Sequence, residues 1–248
     1  MLNKNSKDTV LYTASSAFGS YKVIDTTYNN RPARVLFGSK GSAQSGVAKD
    51  DEPELLFDYN QRFFEIMASL NPKRVLVIGG GAFMLPIAAF HRFPKLTLDV
   101  VEIDPLLVKI SRDYFDLPES KRLNVYIGDG AEYIAQTKKR YDLIIVDAFS
   151  GFTIPRELVS KQAIALYQKR LKRNGVFAMN FISEYKARRY RLAHELVDTF
   201  EKAFPHVSLY QADPHYFTGE EQNHLLVAGR ADIHFTYLQS SELTKITY

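Results

Sequence analysis

The spacing of hydrophobic and polar positions changes near residue 74. Residues 9 to 48 hold short β-rich pieces, "VLYTA", "GSYKVIDTTY" and "ARVLFG", separated by the turn-forming runs "NNRP" and "GSKGSAQSG". This pattern predicts a small antiparallel sheet or hairpin array. Residues 53 to 70, "PELLFDYNQRFFEIMASL", then carry apolar side chains at helical spacing, and "NP" at 71 and 72 closes the segment. Beyond it, apolar runs alternate with amphipathic ones. Strands are predicted at "RVLVIGG", "LTLDVVEID", "NVYIGD", "YDLIIVDA", "GVFAMNFI", "VSLYQA" and "HLLVAGR", with helices near 84–92, 105–115, 131–138, 157–173 and 185–204.

Near-continuous apolar strands separated by helices imply a mostly parallel sheet covered on both faces. The last two strands, at about 207–212 and 224–230, are joined by too short a loop for a crossover helix, so they are expected to run antiparallel. The expected class is α/β: a Rossmann-like methyltransferase fold with a seven-stranded, mostly parallel sheet, one antiparallel strand and helices on both faces, preceded by a small N-terminal β-sheet. The boundaries expected are 1–52 for the small sheet, 53–236 for the nucleoside-binding catalytic domain and 237–248 for a surface tail.

Composition narrows this picture without redirecting it. The 248 residues are 46% hydrophobic and 24% charged, as in an ordinary soluble globular protein. The opening "MLNKNSKDTV" lacks the apolar run of a signal peptide, and the longest apolar run, 75–90, is interrupted by three glycines and a proline. A cytoplasmic protein with no membrane partner is the expectation. The absence of cysteine excludes disulfides, thiolate metal sites and cysteine nucleophiles. The net charge of +4 gathers at 138–140, 168–173 and 186–191, beside helix ends, where it reads as a solvated face; nucleic acid is not an expected partner. The six histidines show no metal-ligand spacing, so no metal is expected; His194 reads as structural, and His215 is retained as a candidate acceptor-site residue.

The chemistry gathers at the predicted strand ends. Gly79-Gly80-Gly81 follows the first strand of the large sheet, but Met84 stands where a dinucleotide turn would have its third glycine, and no Gly-Lys-Ser/Thr follows. The second strand ends at Glu102, about twenty residues on, the spacing at which an acid reaches a ribose diol. Asp129 ends the third strand, placed to accept from an adenine amino group, and Asp147 ends the fourth. Three such acids make one carboxylate-lined crevice, which suits a cationic, phosphate-free adenosyl sulfonium better than NAD. S-adenosylmethionine and its decarboxylated form both meet that description.

The ordered series "YKVID", "GSAQSG", "YNQ", "VLVIGGG", "VEID", "GDG" and "YDLIIVD" resembles the spermidine synthase (polyamine aminopropyltransferase) family over nearly the whole chain. The resemblance implies that Gln44, Gly79, Gly80, Gly81, Glu102, Ile103, Asp129 and Gly130 hold the nucleoside, and that Asp147 and Tyr59 lie at the transfer centre. It places Tyr216 and Ser150 in the acceptor pocket and suggests a homodimer. Each of these residues also has a plain structural reading: Asp147 as a turn cap, Tyr59 as helix packing, Gln44 as a turn residue. Two positions depart from the family. The acid of its "GGGDGG" turn, which pairs with the donor's free amine, is here Ala82, and the second acid of its Asp-Ser-x-Asp motif is here Ser150. Each change removes a negative partner for a cation. The reading is therefore a transferase that moves an alkyl group from an adenosyl sulfonium to an amine-type small-molecule acceptor other than ordinary putrescine. An S-adenosylmethionine-dependent methyltransferase and a catalytically silent nucleoside-binding protein stay open.

Overall fold

Asn29 and Asn30, with φ of 48° and 62°, close a two-residue hairpin between β2 (Ser20–Tyr28) and β3 (Arg31–Phe37). Positive φ at both turn positions matches the right-handed twist of the flanking strands, and asparagine tolerates it better than most residues. The computed structural model describes residues 8–50, 55–149, 153–184, 191–212 and 221–231. With β1 (Thr9–Ser15) and β4 (Ala43–Ala48) the hairpin forms a four-stranded antiparallel sheet in sequential order.

The fourth strand corrects the sequence expectation, which made all of "GSKGSAQSG" a turn. Only Ser39–Gly41 is one, as a short 3-10 segment. Cross-strand pairing overrides the local composition from Ala43 onward. Gly46 fits there because a β-carbon would come 2.9 Å from the Arg34 carbonyl oxygen and 3.0 Å from Leu56.

The second sheet has the order β10-β11-β9-β8-β5-β6-β7. Its strands are β5 (Arg74–Ile78), β6 (Thr97–Glu102), β7 (Leu123–Ile127), β8 (Tyr141–Val146), β9 (Leu171–Glu184), β10 (His206–Gln211) and β11 (Glu221–Gly229). β5 through β9 pair in parallel, and β11 lies antiparallel to both β9 and β10. The expected seven strands with one reversed are thus present. The chain builds outward from β5 through β6 to β7, then returns to the other flank of β5 with β8. That reversal of strand order opens a crevice beyond the carboxyl ends of β5 and β8.

Helices cover both faces. On one, α1 (Asp58–Leu70) and α2 (Met84–Arg92) bury Phe63, Ile66, Met67, Leu85 and Ala89 against Val77, Val100 and Ile145. On the other, α4 (Gly130–Gln136), α5 (Lys161–Arg170) and α6 (Arg191–Glu201) bury Ile134, Ile164, Tyr167 and Phe200 against Ile144, Phe177 and Leu226. The small sheet docks through Tyr21, Val23 and Leu36 onto Met84 of α2 and Leu107 and Ile110 of α3 (Pro105–Tyr114).

Several boundaries shift. The helix expected over 157–173 is a 3-10 turn, Arg156–Val159, followed by α5, and the chain is already strand at Leu171. Leu171 pairs with Tyr141, and a register shift before Leu143 absorbs the extra residues at the start of β9. The helix at 53–70 begins only at Asp58. Of the helix expected at 185–204, residues 185–190 lie outside the described residues, as does the tail 237–248. Among the described residues no helix is long and apolar enough to cross a membrane.

Candidate active site

The glycine turn and the exit of β8 are locked together. The Asp147 N–H donates to the Ile78 carbonyl at 2.8 Å, and a β-carbon on Gly79 would lie 2.2 Å from the Asp147 carbonyl oxygen. Gly79 also has φ of +95°, which side-chain-bearing residues rarely adopt. The strand ends can approach this closely only with glycine there, and the approach sets Asp147 beside the turn.

Glu102 closes the other side. Its Oε2 accepts from the N–H groups of Gly80 and Gly81 at 2.7 and 3.1 Å, and its Oε1 accepts from the Asp104 N–H at 2.9 Å. Burial raises its pKa; these three donors pull the other way without cancelling the rise. A carboxylate offers about four acceptor positions, so roughly one is left for a ligand hydroxyl. A ribose diol engaging both oxygens has to displace the longer of the turn's bonds, that from Gly81.

Asp104, fully buried at the N-cap of α3, ties the small sheet to this loop. It accepts from Ser16 Oγ at 2.5 Å and Tyr21 OH at 2.8 Å through Oδ2, and from the Leu106 N–H at 2.9 Å through Oδ1. Burial, with Asp104 beside it, pushes the Tyr21 phenol above its ordinary range. Asp129 caps α4, accepting from the Glu132 N–H at 2.9 Å. Asp147 is partly buried and accepts from Asn180 Nδ2 at 3.0 Å. Burial raises its pKa to about 6, opposed by the Asn180 hydrogen bond and reinforced by the Glu102 charge.

Across the crevice the Tyr59 hydroxyl donates to the Gln44 carbonyl at 3.0 Å. Its ring lies 6.1 Å from that of Phe57, which in turn lies 5.6 Å from Tyr28. Burial and the Asp147 charge keep this phenol neutral, well above its ordinary pKa.

Gln44, Tyr59, Gly79, Gly80, Gly81, Glu102, Ile103, Asp129, Gly130 and Asp147 all line one crevice of about 950 Å³. Ile103 is 42% exposed there, an apolar side chain facing the cavity rim. Ser150, His215 and Tyr216 lie outside the described residues. Ala82 is fully buried, in the apolar cluster that joins Tyr21 and Leu36 to Leu107. Among the lining residues that sequence reasoning missed are Tyr21, Asn60, Asp104 and Asn180. Asp104 was signalled by the Asp-Pro helix start and Asn180 by standing alone as a polar residue in "VFAMNFI". The pairing of Tyr21 with Asp104, 83 positions apart, had no local signal.

Residues 63–220, well over half of the chain, match the family model described as the spermine/spermidine synthase domain. The chain belongs to the spermine/spermidine synthase family. A polyamine aminopropyltransferase from Clostridium beijerinckii is 33% identical over 185 residues, 70% of this chain and 62% of that one. An eEF1A lysine and N-terminal methyltransferase from Mus musculus is 30% identical over 171 residues, 65% of this chain and 22% of that one. This family member spans less than two thirds of the length of the curated relatives it matches. Among solved structures, a probable spermidine synthase from Corynebacterium glutamicum superposes with a TM-score of 0.79 at 18% identity, over 91% of this chain and 82% of that one. A spermidine synthase in complex with the transition-state analogue AdoDATO gives 0.71 at 20% identity, over 92% and 75%. Human methyltransferase-like protein 13 in complex with SAH gives 0.58 at 25% identity, over 69% and 82%. The first two likenesses are of fold.

Proposed function

We propose that this protein binds an adenosyl sulfonium donor and transfers its alkyl group to an amine-type small-molecule acceptor other than ordinary putrescine. The observation that carries the reading is the convergence of Glu102, Asp129 and Asp147, from three successive strand ends, on one crevice. Glu102 and Asp129 take the nucleoside hydroxyl and amino groups, Gln44 and Ile103 flank it, and Gly79, Gly80, Gly81 and Gly130 let the backbone approach. The donor is decarboxylated S-adenosylmethionine or S-adenosylmethionine itself, and no metal takes part in the reading.

The transfer forms a carbon–nitrogen bond as the carbon–sulfur bond breaks, and the breaking pair goes to sulfur to give a neutral thioether. The nitrogen has to give up a proton. With its pKa raised to about 6, Asp147 is ionised at neutral pH yet basic enough to assist as proton acceptor. Tyr59 fixes the angle of approach. On the family resemblance, Tyr216 and Ser150 are assigned to the acceptor. Ala82 supplies no charge for a free aminopropyl ammonium, which weighs against putrescine aminopropylation of the usual kind. We assign residues 53–236 to the catalytic unit and 1–52 to its accessory sheet, in a cytoplasmic homodimer.

A second reading, methyl transfer from intact S-adenosylmethionine, is favoured by the relatives named as methyltransferases and by Ala82, since a methionine zwitterion needs no lone acid at that position. Turnover separates the two. Incubation with each donor and a panel of amines is expected to release methylthioadenosine from the decarboxylated donor; release of S-adenosylhomocysteine alone supports methyl transfer. No release from either donor with any amine contradicts both.

A further inference from the structure

Asp147 and Asn180 are neighbours by strand register. Val146 of β8 stands opposite Met179 of β9 in the parallel pair, so the next step sets Asp147 beside Asn180 on the same sheet face. Their hydrogen bond, from Nδ2 to Oδ1, is 3.0 Å long. Asn180 is 1% exposed, between buried Met179 and Phe181 and opposite Leu225 of β11. Its own Oδ1 has no hydrogen-bond partner. A buried acceptor left unpaired is expensive, and a leucine of similar size would remove it while packing against apolar neighbours. Packing gives no reason for an amide at this position. The carboxylate beside it does.

We propose that Asn180 is the positioning residue for Asp147: its amide N–H fixes the carboxylate at the exit of β8 and stabilises it as the anion. This rests on the role proposed above for Asp147. Three groups bear on that carboxylate from the surrounding elements: Asn180 of β9, Glu102 at the end of β6 and Tyr59 of α1. Glu102 opposes the charge, and the neutral Tyr59 phenol brings no counter-charge. Asn180 is the one of the three that favours the anion, and its unsatisfied oxygen is the consequence of turning the amide that way. Because the bond engages Oδ1, Oδ2 is the oxygen assigned to receive the proton of the attacking amine.

The test is a carboxyl titration by 13C NMR of aspartate-labelled protein, with the Asp147 resonance assigned by its absence in Asp147→Asn. In Asn180→Leu the midpoint is expected to move up by about 1 pH unit, with a melting temperature at pH 4, where Asp147 is protonated in native protein and variant alike, equal to or above that of the native protein. Asn180→Ala, the second variant, is expected to show the same shift, and Asn180→Gln to reverse part of it. With turnover in hand, the acid limb of kcat moves in the same direction while the KM for donor changes less than twofold. An Asp147 midpoint that stays in place or falls in the folded Leu or Ala variant overturns the proposal. The titration needs neither donor nor acceptor. Failure of adenosyl binding would therefore sink the transferase reading and leave the Asp147–Asn180 result standing or falling by itself.

Discussion

The Gly80 N–H donates to Glu102 Oε2 across 2.7 Å, so the acid assigned to the ribose is also the acceptor that shapes the glycine turn. Glu102→Ala strands three backbone donors, those of Gly80, Gly81 and Asp104. It is expected to cost about 3 kcal/mol and to abolish donor binding. Glu102→Gln keeps one oxygen for the turn and is expected to retain most of the stability while weakening binding about tenfold or more. Denaturant melts and calorimetry on the same samples separate the two effects.

Gly79 is where β5 and the exit of β8 meet. A methyl group there collides with the Asp147 carbonyl at 2.2 Å and sits on a backbone with φ of +95°. Gly79→Ala is expected to destabilise the fold by about 3 kcal/mol or more. Thermal unfolding checks it, and a loss below about 1 kcal/mol would show that the strand ends part more easily than the geometry indicates.

Asp147 gives the stability a pH dependence of definite sign. Its pKa is raised from 3.8 to about 6 in the folded state, so the folded state holds the proton more tightly than the unfolded chain. The stabilisation from this group is fully present below about pH 4 and is lost as pH rises from there through about 6. Asp147→Asn is therefore expected to raise stability at pH 7.5 by about 2 kcal/mol, the shift being discounted for partial exposure, and to remove turnover while sparing donor binding. Parallel melts of native protein and variant at pH 4 and pH 7.5 measure the difference; equal gains at both values would contradict it.

Ala82 is more than a missing charge. It lies fully buried in the cluster that joins Tyr21 and Leu36 to Leu107, behind the turn. Restoring the family acid by Ala82→Asp is expected to cost about 3 kcal/mol or more, because it buries an unpaired carboxylate, and to leave putrescine turnover no higher. A stable Ala82→Asp protein that gained putrescine activity would show that the turn can rotate this position into the crevice.

The legible part of the fold was periodic and the illegible part was paired. Near-continuous apolar runs such as "YDLIIVD" gave the parallel strands, and their terminal acids gave the crevice. β4 escaped because "AQSGVA" has turn composition and becomes a strand only through its partners on β3. The start of β9 escaped because "LKR" continues the helical pattern of α5, while Leu171 is claimed by Tyr141. Asp129, Asp147 and Glu102 were visible as strand ends, whereas Asp104 with Tyr21 and Asp147 with Asn180 exist only once the chain is folded.

Isothermal titration calorimetry of native protein and Glu102→Ala with methylthioadenosine, S-adenosylhomocysteine and the two sulfonium donors asks whether the crevice holds an adenosyl group. The adenosyl crevice predicts a micromolar or tighter Kd for at least one adenosyl thioether, lost in Glu102→Ala, with methylthioadenosine and the decarboxylated donor preferred if aminopropyl transfer is the reaction. Native protein that binds none of the four contradicts an adenosyl site in this crevice.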